Sequence, residues 1–355
     1  MSTAPKTELY HLFQTKPDER WEFLFDSHTA AAFSKCEQYF DYQHLKHLRA
    51  RGRGGASMNI GQWWSRTMEY LYSHLKSSQE GFPDGNGRAY EVPTMADALK
   101  YAATAWSELK MDELEKSAPK AFKTFKGRDG AIIMTSRYFE TTFQHDIANW
   151  RIIAVEYGFG LRREVFVGEN NRVVVYYMGK PDLVVLSKGD DQLMPVDHKT
   201  VQYITGDLTR KYKPHPQTVG YIYAIDQLSK TLGIERKNCD RCCINAGARQ
   251  EPTDKPRDGG PPKPRFTRVY PCYNPQEIEE WRQSLIDKAE RMRSAIENGK
   301  FVRNENACHL FAGCEFRGIC AVPPASRSII IRANYNEGEA WVPYSLSEEE
   351  EDNGE

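Results

Sequence analysis

Apolar residues recur at helical spacing through most of the first 150 positions. Their steps are mainly three and four residues, so each set lies on one face of a helix. The first set consists of Trp64, Met68, Leu71, Tyr72 and Leu75. Stretches over 95–114 and 136–150 repeat the pattern. We interpret all three as core-facing surfaces, and they predict a helical N-terminal lobe over 21–150.

From position 162 the pattern changes to short runs of β-branched and aromatic residues, separated by polar turns. Such runs are typical of strands joined in hairpins. The predicted strands cover 164–167, 172–178, 182–186, 193–200, 242–246 and 265–270. Helices are predicted over 216–232 and 274–299, the second beginning with an Asn-Pro start. The order of elements predicts an α/β fold with a mixed sheet flanked by helices.

Composition places the chain among ordinary globular proteins, with 40% hydrophobic and 27% charged residues. It contains no uncharged apolar run of about 18 residues, so we expect no membrane partner. Residues 1–20 are polar and lack the apolar segment of a secretory signal. We therefore expect a cytoplasmic protein whose cysteines stay reduced unless they bind metal.

Charge is distributed unevenly along the chain, although the formal net charge is only -1. The last eight residues hold six acids and no base, namely Glu348, Glu349, Glu350, Glu351, Asp352 and Glu355. Without those six, 48 basic residues face 43 acidic ones. This mild basic excess suits a nucleic-acid partner. We expect a flexible N-terminus over 1–20 and a C-terminal extension over 326–355 that ends in a disordered acidic tail.

Two acidic residues and a lysine form the main chemical signal. A short hairpin brings Asp182 beside Asp197, and strand alternation places Asp197 and Lys199 on one face with His198 on the other. Adjacent carboxylates repel each other, and a divalent cation such as Mg²⁺ or Mn²⁺ relieves that repulsion. The ion would polarise a phosphate and lower the pKa of a water molecule. Lys199 would orient or help deprotonate that water and offset charge on the phosphate.

This pattern, Pro181-Asp182 followed by Asp197-His198-Lys199, resembles the PD-(D/E)XK nuclease superfamily. Gln217 and Tyr221 follow on the next predicted helix, one turn apart on the same face. Their Q-x-x-x-Y spacing is similar to that of the RecB-like branch, which includes recombination nucleases and CRISPR-associated exonucleases.

The resemblance implies a restriction-endonuclease-like fold, with the nuclease core over 151–325. It implies a metal-dependent exonuclease acting on DNA ends or single strands, in recombination, repair or phage DNA processing. It also implies a recombinase or helicase partner chain, because no phosphate-binding P-loop occurs here. The implied catalytic residues are Asp182, Asp197, Lys199, Gln217, Tyr221 and Glu164. The implied metal ligands are Asp182, Asp197, His198 and Glu69.

One position departs from the family pattern. RecB-like nucleases have a metal-ligating histidine four residues after a helical glycine, and here Ser65 follows Gly61 at that spacing. Glu69, one turn later, is the candidate replacement, and His145 is an alternative. The departure leaves a second functional hypothesis open: the protein would be a catalytically weak DNA-binding subunit of a recombination complex that keeps the nuclease fold. A third reading, a metal-cluster scaffold without nucleic acid, leaves Q-x-x-x-Y unexplained.

Four of the eight cysteines resemble a further family feature. Cys36 near the N-terminus and Cys308, Cys314 and Cys320 near the other end match the layout of RecB-like nucleases that hold an iron–sulfur cluster. The resemblance implies a 4Fe-4S cluster on four thiolates, with structural zinc or free thiols as alternatives.

The remaining cysteines are Cys239, Cys242, Cys243 and Cys272. The first two have zinc-knuckle spacing, and small buried residues are the alternative. The glycine- and arginine-rich stretch 51–55 is a candidate phosphate contact or a flexible loop.

Overall fold

Strands alternate with helices along most of the chain. The computed structural model describes residues 13–15, 21–51, 56–82, 90–122, 125–167, 171–204, 206–234, 239–250, 265–309 and 313–338. Within these residues the strands are β1 (Phe13–Thr15), β2 (Trp21–Phe25), β3 (Leu48–Ala50), β4 (Trp150–Val155), β5 (Phe159–Val167), β6 (Asn171–Gly179), β7 (Leu183–Ser187), β8 (Leu193–Val201), β9 (Cys243–Ala248), β10 (Phe266–Val269) and β11 (Tyr335–Glu337).

The α-helices of the same residues are α1 (Ser27–Lys35), α2 (Glu37–Phe40), α3 (Ala56–Glu80), α4 (Met95–Glu108), α5 (Met111–Ser117), α6 (Pro119–Phe122), α7 (Gly127–Tyr138), α8 (Gln144–Asn149), α9 (Leu208–Tyr212), α10 (Pro216–Leu228), α11 (Pro275–Glu297), α12 (Arg317–Cys320) and α13 (Arg327–Asn334). Two π-helical turns, Asp41–Leu45 and Phe139–Phe143, and two 3-10 turns, Glu305–His309 and Pro324–Ser326, complete them.

The chain forms two compact units. The terminal unit comprises Met1–Arg53, Gly158–Gly179 and Pro275–Glu355, and the central unit comprises Gly54–Tyr157 and Lys180–Asn274. The limits of these units differ from the domain boundaries predicted at 150 and 325. Those domain boundaries stay a prediction.

The terminal unit has a four-stranded sheet in the order β1-β2-β6-β5, in which β2 and β6 run parallel. Phe23 and Phe25 of β2 are buried. Helix α11 packs on this sheet, where the Trp281 ring meets the edge of the Tyr177 ring at 4.9 Å. A separate two-stranded sheet pairs β11 with β3.

The central unit has a five-stranded sheet in the order β10-β9-β8-β7-β4, with β8 and β9 parallel and the other pairs antiparallel. Parallel strands need a crossover between them, and α10 lies in the connection from β8 to β9. Helices α3, α4 and α7 supply the main core of this unit. Trp63 of α3 is fully buried and donates from Nε1 to the Ala102 carbonyl oxygen of α4 at 2.9 Å.

The helical periodicity is confirmed for α3, because all five residues of the predicted face are buried. The stretch 95–114 divides into α4 and α5 at Lys110, whose φ of 51° interrupts the helix. The third stretch begins earlier, at Gly127, and passes into β4 at Trp150. Strand β2 was wrongly included in the helical region, because its partner β6 is distant in sequence.

The predicted strands are confirmed as β5 to β10, with ends shifted by a few residues. They belong to two sheets rather than one: the β5–β6 hairpin lies in the terminal unit and the β7–β8 hairpin in the central unit. Among the described residues, no helix is long and apolar enough to cross a membrane. The acidic tail, most of 1–20 and the arginine-glycine stretch 52–55 lie outside the described residues.

Candidate functional site

Asp182 stands where the pairing between β7 and β8 ends. The ladder stops at the pair Leu183 and Val196, and β8 continues past it. There the backbone N–H of His198 donates to Asp182 Oδ2 at 2.5 Å, while the backbone N–H of Glu156 donates to the Asp182 carbonyl oxygen at 2.8 Å. The carboxylate thus takes the place of a strand partner, and its position is fixed by the sheet.

Asp197 and Lys199 lie on the same face of β8, two residues apart. Asp197 is 4% exposed, and Lys199 Nζ lies 2.6 Å from its Oδ2. That oxygen accepts no further hydrogen bond from the described residues. Within the described residues the structure therefore brings Asp182, Asp197 and Lys199 together, as the sequence pattern predicted.

The charges gathered at this site shift the ionisation of Asp182 and of Lys199. Burial raises the pKa of Asp182 well above its usual range, and the charge of Asp197 raises it further. Burial also lowers the pKa of Lys199, but the negative charges of Asp197 and Asp182 have a larger, opposite effect. The pKa of Lys199 therefore lies above its ordinary value. Lys199 is therefore an ammonium ion at neutral pH, able to donate hydrogen bonds and to stabilise negative charge but not to accept a proton.

Gln217 and Tyr221 connect α10 to both acidic segments. The helix begins at Pro216, directly after the extended backbone of His215. Gln217 Nε2 donates to the Tyr221 hydroxyl at 3.1 Å and lies 3.5 Å from Asp197 Oδ1. The Tyr221 hydroxyl donates in turn to the Lys180 carbonyl oxygen at 3.0 Å. The Q-x-x-x-Y pair thereby fixes the distance between β8 and the segment that precedes Asp182.

Glu156 is a neighbour of the site that sequence reasoning missed. It follows β4 directly, in a left-handed conformation with φ of 50°, and its carboxylate lies 2.5 Å from Lys180 Nζ. The Glu156 charge also raises the pKa of Asp182. The one sequence signal for Glu156 is an acid at the end of an apolar strand, a pattern too common to single it out.

Glu69 lies beside this Glu156–Lys180 pair. Burial and the charge of Glu156 raise its pKa, while Lys180 and Arg66 lower it. The role of Glu69 as a metal ligand stays a prediction.

His198 faces away from the acid pair, so its predicted place among the ligands of that pair needs correction. Its ring stacks on the Tyr72 ring at 5.4 Å, and its Nδ1 lies 3.0 Å from Asn245 Nδ2. Burial lowers the pKa of His198 to about 3. The physical reason is strand alternation: with Asp197 and Lys199 on one face of β8, the residue between them points into the opposite layer.

The sequence singles out three further positions. Glu164 belongs to β5 of the terminal unit, its side chain is outside the described set, and its role stays a prediction. Ser65 is half-buried on α3, one turn after Gly61, where an added Cβ would lie 3.6 Å from Thr200 Oγ1. The His145 side chain is 62% exposed, and its Nδ1 lies 3.6 Å from Asp146 Oδ1 rather than at the acid pair.

The four predicted cluster ligands line one pocket of about 240 Å³ in the terminal unit. They are Cys36, Cys308, Cys314 and Cys320. Cys36 has an extended backbone between α1 and α2, and it reaches the C-terminal segment because the next residue is anchored there. Glu37 accepts from the Val302 backbone N–H at 2.9 Å and from Arg291 at 2.6 Å. The Asn304 backbone N–H lies 3.4 Å from Cys36 Sγ.

The thiols of this pocket interact electrostatically. Burial raises the pKa of Cys314 and of Cys320, and neighbouring thiolates raise both further. Arg303 lines the pocket and opposes the shift at Cys320. All four cysteines are free of disulfides. Four soft sulfur donors around one space suit a metal group that takes thiolate ligands.

The other cysteines differ from this set. Cys239, Cys242 and Cys243 are buried, whereas Cys272 is exposed. Burial raises the pKa of each of the three buried thiols, which favours their neutral form. In the part of the chain that the structure describes, no group of three or more His, Cys, Asp or Glu side chains is arranged to hold a single metal ion.

An α/β fold with an aspartate just before one strand, an acid-x-lysine on the adjacent strand and Q-x-x-x-Y packed against them is the arrangement expected of a restriction-endonuclease-like nuclease. A family model described as the PD-(D/E)XK nuclease superfamily matches residues 27–321, and the chain belongs to that superfamily.

Among solved structures, a candidate exonuclease from Eubacterium rectale matches with 12% identity and a TM-score of 0.41, covering 81% of this chain and 85% of that one. No curated protein sequence matches this chain.

Proposed function

We propose that this nuclease is a metal-dependent deoxyribonuclease, an exonuclease acting on DNA ends or single strands in recombination, repair or phage DNA processing. The observation that carries the proposal is the arrangement of Asp182, Asp197 and Lys199, linked to Gln217 and Tyr221. A recombinase or helicase would be a separate partner chain.

The donors at the acid pair fit a hard divalent ion. Asp182 and Asp197 are oxygen donors close enough for the Asp197 charge to raise the pKa of Asp182. Apart from Lys199 at 2.6 Å, the buried Asp197 Oδ2 has no hydrogen-bond partner among the described residues. Mg²⁺ or Mn²⁺ prefers such carboxylate oxygens. Bound there, the ion would supply Lewis-acid polarisation of the scissile phosphate and lower the pKa of an attacking water molecule.

The chain's own residues supply positioning and charge. The Lys199 ammonium would donate to the phosphate oxygen on which negative charge grows during attack. The His198 backbone N–H holds Asp182, and Gln217 restrains Asp197 from the helix side. These contacts would keep the reacting groups in one geometry, which accounts for much of the rate gained in phosphoryl hydrolysis.

A basic segment between β8 and α10 favours a DNA strand as the substrate. It carries Arg210, whose side chain is 89% exposed, and the exposed Lys211. Tyr203, 56% exposed, precedes them by a few residues. Cationic side chains bind the phosphate backbone and aromatic rings stack on unpaired bases, so this segment suits a single strand or a frayed end.

The test uses the full chain, purified without oxygen, with end-labelled linear DNA in single- and double-stranded form. We expect degradation with Mn²⁺ or Mg²⁺, none with a chelator, and none of circular single-stranded DNA, which lacks an end. Asp197→Ala should abolish cleavage, whereas Lys116→Ala, at an exposed site on α5, should not. Equal cleavage by wild type and Asp197→Ala would overturn the proposal.

A second candidate function follows from Ser65, which stands where the family has a metal-ligating histidine. A catalytically weak DNA-binding subunit would bind labelled DNA in the same experiment without metal-dependent cleavage. The Ser65→His variant separates the two functions. If the wild type is inactive and Ser65→His cleaves DNA much faster, the protein is the catalytically weak subunit. An active wild type would exclude that function.

We also propose that Cys36, Cys308, Cys314 and Cys320 hold a 4Fe-4S cluster. The support is that the four thiols line one pocket, with Arg303 and Arg317 to offset a negatively charged cluster. Thiolate ligation gives such clusters a broad absorbance near about 400 nm. We expect that band, with iron and sulfide, in the anaerobic protein and its loss in Cys314→Ser. Zinc without iron, or a metal-free protein, would contradict the cluster.

A further inference from the structure

A buried ion pair lies in the layer beneath the catalytic strand of the central unit. Asp146 of α8 is 0% exposed, and Arg268 of β10 donates to both of its oxygens, at 2.7 and 2.6 Å. The guanidinium also lies over the Trp150 ring, 4.2 Å from its centroid. A bidentate pair of this kind fixes the orientation of both side chains.

Hydrogen bonds connect this pair to the acid-x-lysine strand. Arg268 Nε donates to Asn245 Oδ1 at 3.4 Å, and since guanidinium groups only donate, the carboxamide oxygen must face it. Asn245 Nδ2 therefore points the other way, 2.6 Å from the Tyr138 hydroxyl and 3.0 Å from His198 Nδ1. The amide has two N–H groups, one for each of these acceptors.

The directions of the remaining hydrogen bonds are then determined. Because Tyr138 accepts from Asn245, its hydroxyl hydrogen is available for the Tyr72 hydroxyl at 2.6 Å. Tyr72 in turn donates to Asp146 Oδ2 at 2.5 Å, so the series of hydrogen bonds ends at the ion pair from which it began. Every donor in this loop has one acceptor, so the network has a single consistent arrangement of hydrogens.

This arrangement specifies the tautomer of His198. Its Nδ1 must accept from Asn245, so the neutral ring carries its hydrogen on Nε2, which has no hydrogen-bond partner within the described residues. One hydrogen bond and the stacked Tyr72 ring thus hold the imidazole. The backbone of the same residue donates to Asp182 Oδ2 and joins Asp197 to Lys199.

We propose that Asn245 is a positioning residue for the acid pair. It acts through His198, with its own orientation set by the Asp146–Arg268 pair, and so holds β8 where the His198 N–H meets Asp182. The inference rests on the proposed nuclease function and deepens it. His198, which the sequence predicts to be a metal ligand, here orients the strand that carries the acids.

Two substitutions of His198 provide a matched pair. An asparagine places its carboxamide oxygen near the position of imidazole Nδ1, where it can accept from Asn245, whereas glutamine presents its amide near the position of Nε2. Partners of catalytic groups typically change activity by about 10- to 100-fold when lost. We expect His198→Gln to lower kcat at least about 10-fold with KM for DNA nearly unchanged, and His198→Asn to stay within about 3-fold.

Asn245→Asp tests the same contact from the other side, because a carboxylate cannot donate to Nδ1. We expect the same fall in kcat as for His198→Gln. Equal kcat in His198→Gln, Asn245→Asp and the wild type would overturn the proposal, as would equal losses in His198→Asn and His198→Gln. An inactive wild type would instead remove the proposed function.

A spectroscopic measurement on the wild-type protein is independent of cleavage and of how the variants fold. In nitrogen-15 NMR of histidine-labelled protein, we expect His198 as a neutral ring with hydrogen on Nε2 alone. Assignment follows from the loss of that signal in His198→Asn. Hydrogen on Nδ1, or on both nitrogens at neutral pH, would overturn the proposed role of Asn245.

Discussion

The acid pair of the central unit and the cysteine pocket of the terminal unit are organised in opposite ways. At the acid pair, Asp182 is held by the His198 backbone and Tyr221 is tied to Lys180. In the pocket, the thiol contacts are weak, such as Cys36 Sγ to the Val302 carbonyl oxygen at 3.9 Å. Hydrogen bonds within the folded chain therefore arrange the first site, whereas contacts of this length constrain the thiols of the pocket less.

The difference follows from the elements that carry each site. Asp182 and Asp197 flank the end of a β-ladder that is backed by a buried polar network. Cys36 lies between two short helices, Cys308 on a 3-10 turn and Cys320 in the four-residue helix α12. Cys36 is also far from the others in sequence. Joining such distant segments costs chain entropy, which a metal group bound to all four thiolates would offset.

The largest effect that we expect is at the preformed site. Asp182→Asn should reduce cleavage by at least about 1,000-fold, since in the proposed function the lost charge would both hold the metal and form part of the transition-state field. The same change should raise the metal-free free energy of unfolding by about 1 kcal/mol, because burial and Asp197 disfavour the Asp182 charge. Single-turnover cleavage and denaturation with a chelator measure the two effects. A less stable, fully active variant would contradict this account of the site.

The cysteine pocket should respond in the opposite direction. We expect Cys314→Ser to lose the metal group and to destabilise the terminal unit by about 2 to 5 kcal/mol, the range for losing a cross-link that closes a long loop. Metal analysis with thermal unfolding measures this effect. Cys272→Ser, at an exposed cysteine outside the pocket, is the matched control. Unchanged stability in Cys314→Ser would show that the pocket is organised without a ligand.

Tyr221→Phe makes a smaller change at the preformed site. It removes the hydroxyl that accepts from Gln217 and donates to the Lys180 carbonyl oxygen. We expect kcat to fall about 10-fold with little change in KM, because the contact positions catalytic groups rather than DNA. Steady-state kinetics on single-stranded DNA provide the measurement. A change confined to KM would indicate instead that Tyr221 contacts the substrate.

The smallest effect that we expect is the pH dependence of the stability of the terminal unit. Burial, with the charges of Arg49, His47 and His28, lowers the pKa of His44 to about 4. The unfolded chain then binds the proton more tightly, so stability is complete above the ordinary pKa of 6.5 and falls as the pH decreases toward 4. We expect a loss of about 1 kcal/mol between pH 7 and pH 5.5, absent from His44→Gln. Identical pH profiles for the two proteins would contradict it.

Much of the fold and of the acid pair could be predicted from local sequence patterns. Period-two runs with polar turns predicted β5 to β8, and alternation along β8 separated Asp197 and Lys199 from His198. Spacing of one helical turn predicted that Gln217 and Tyr221 would share a face. These features depend on neighbours in sequence, and local geometry determines them.

The remainder depends on contacts between distant residues. The parallel pairing of β2 with β6 joins segments about 150 positions apart, and apolar periodicity contains no sign of it. The network from Asp146 to His198 draws one residue each from separate elements, and only His198 lies within a motif, at the position where the motif allows any residue. Glu156 was missed for the same reason, since its place beside Asp182 results from the pairing of β4 with β7.

Single-turnover cleavage of linear DNA by Lys199→Ala, measured against Lys116→Ala, tests the central claim most directly. Both variants remove one ammonium group, but only Lys199 lies 2.6 Å from Asp197. The account predicts that Lys199→Ala lowers the cleavage rate at least about 100-fold and that Lys116→Ala leaves it unchanged. Equal rates in the two variants would show that the acid pair and its lysine are not the catalytic centre.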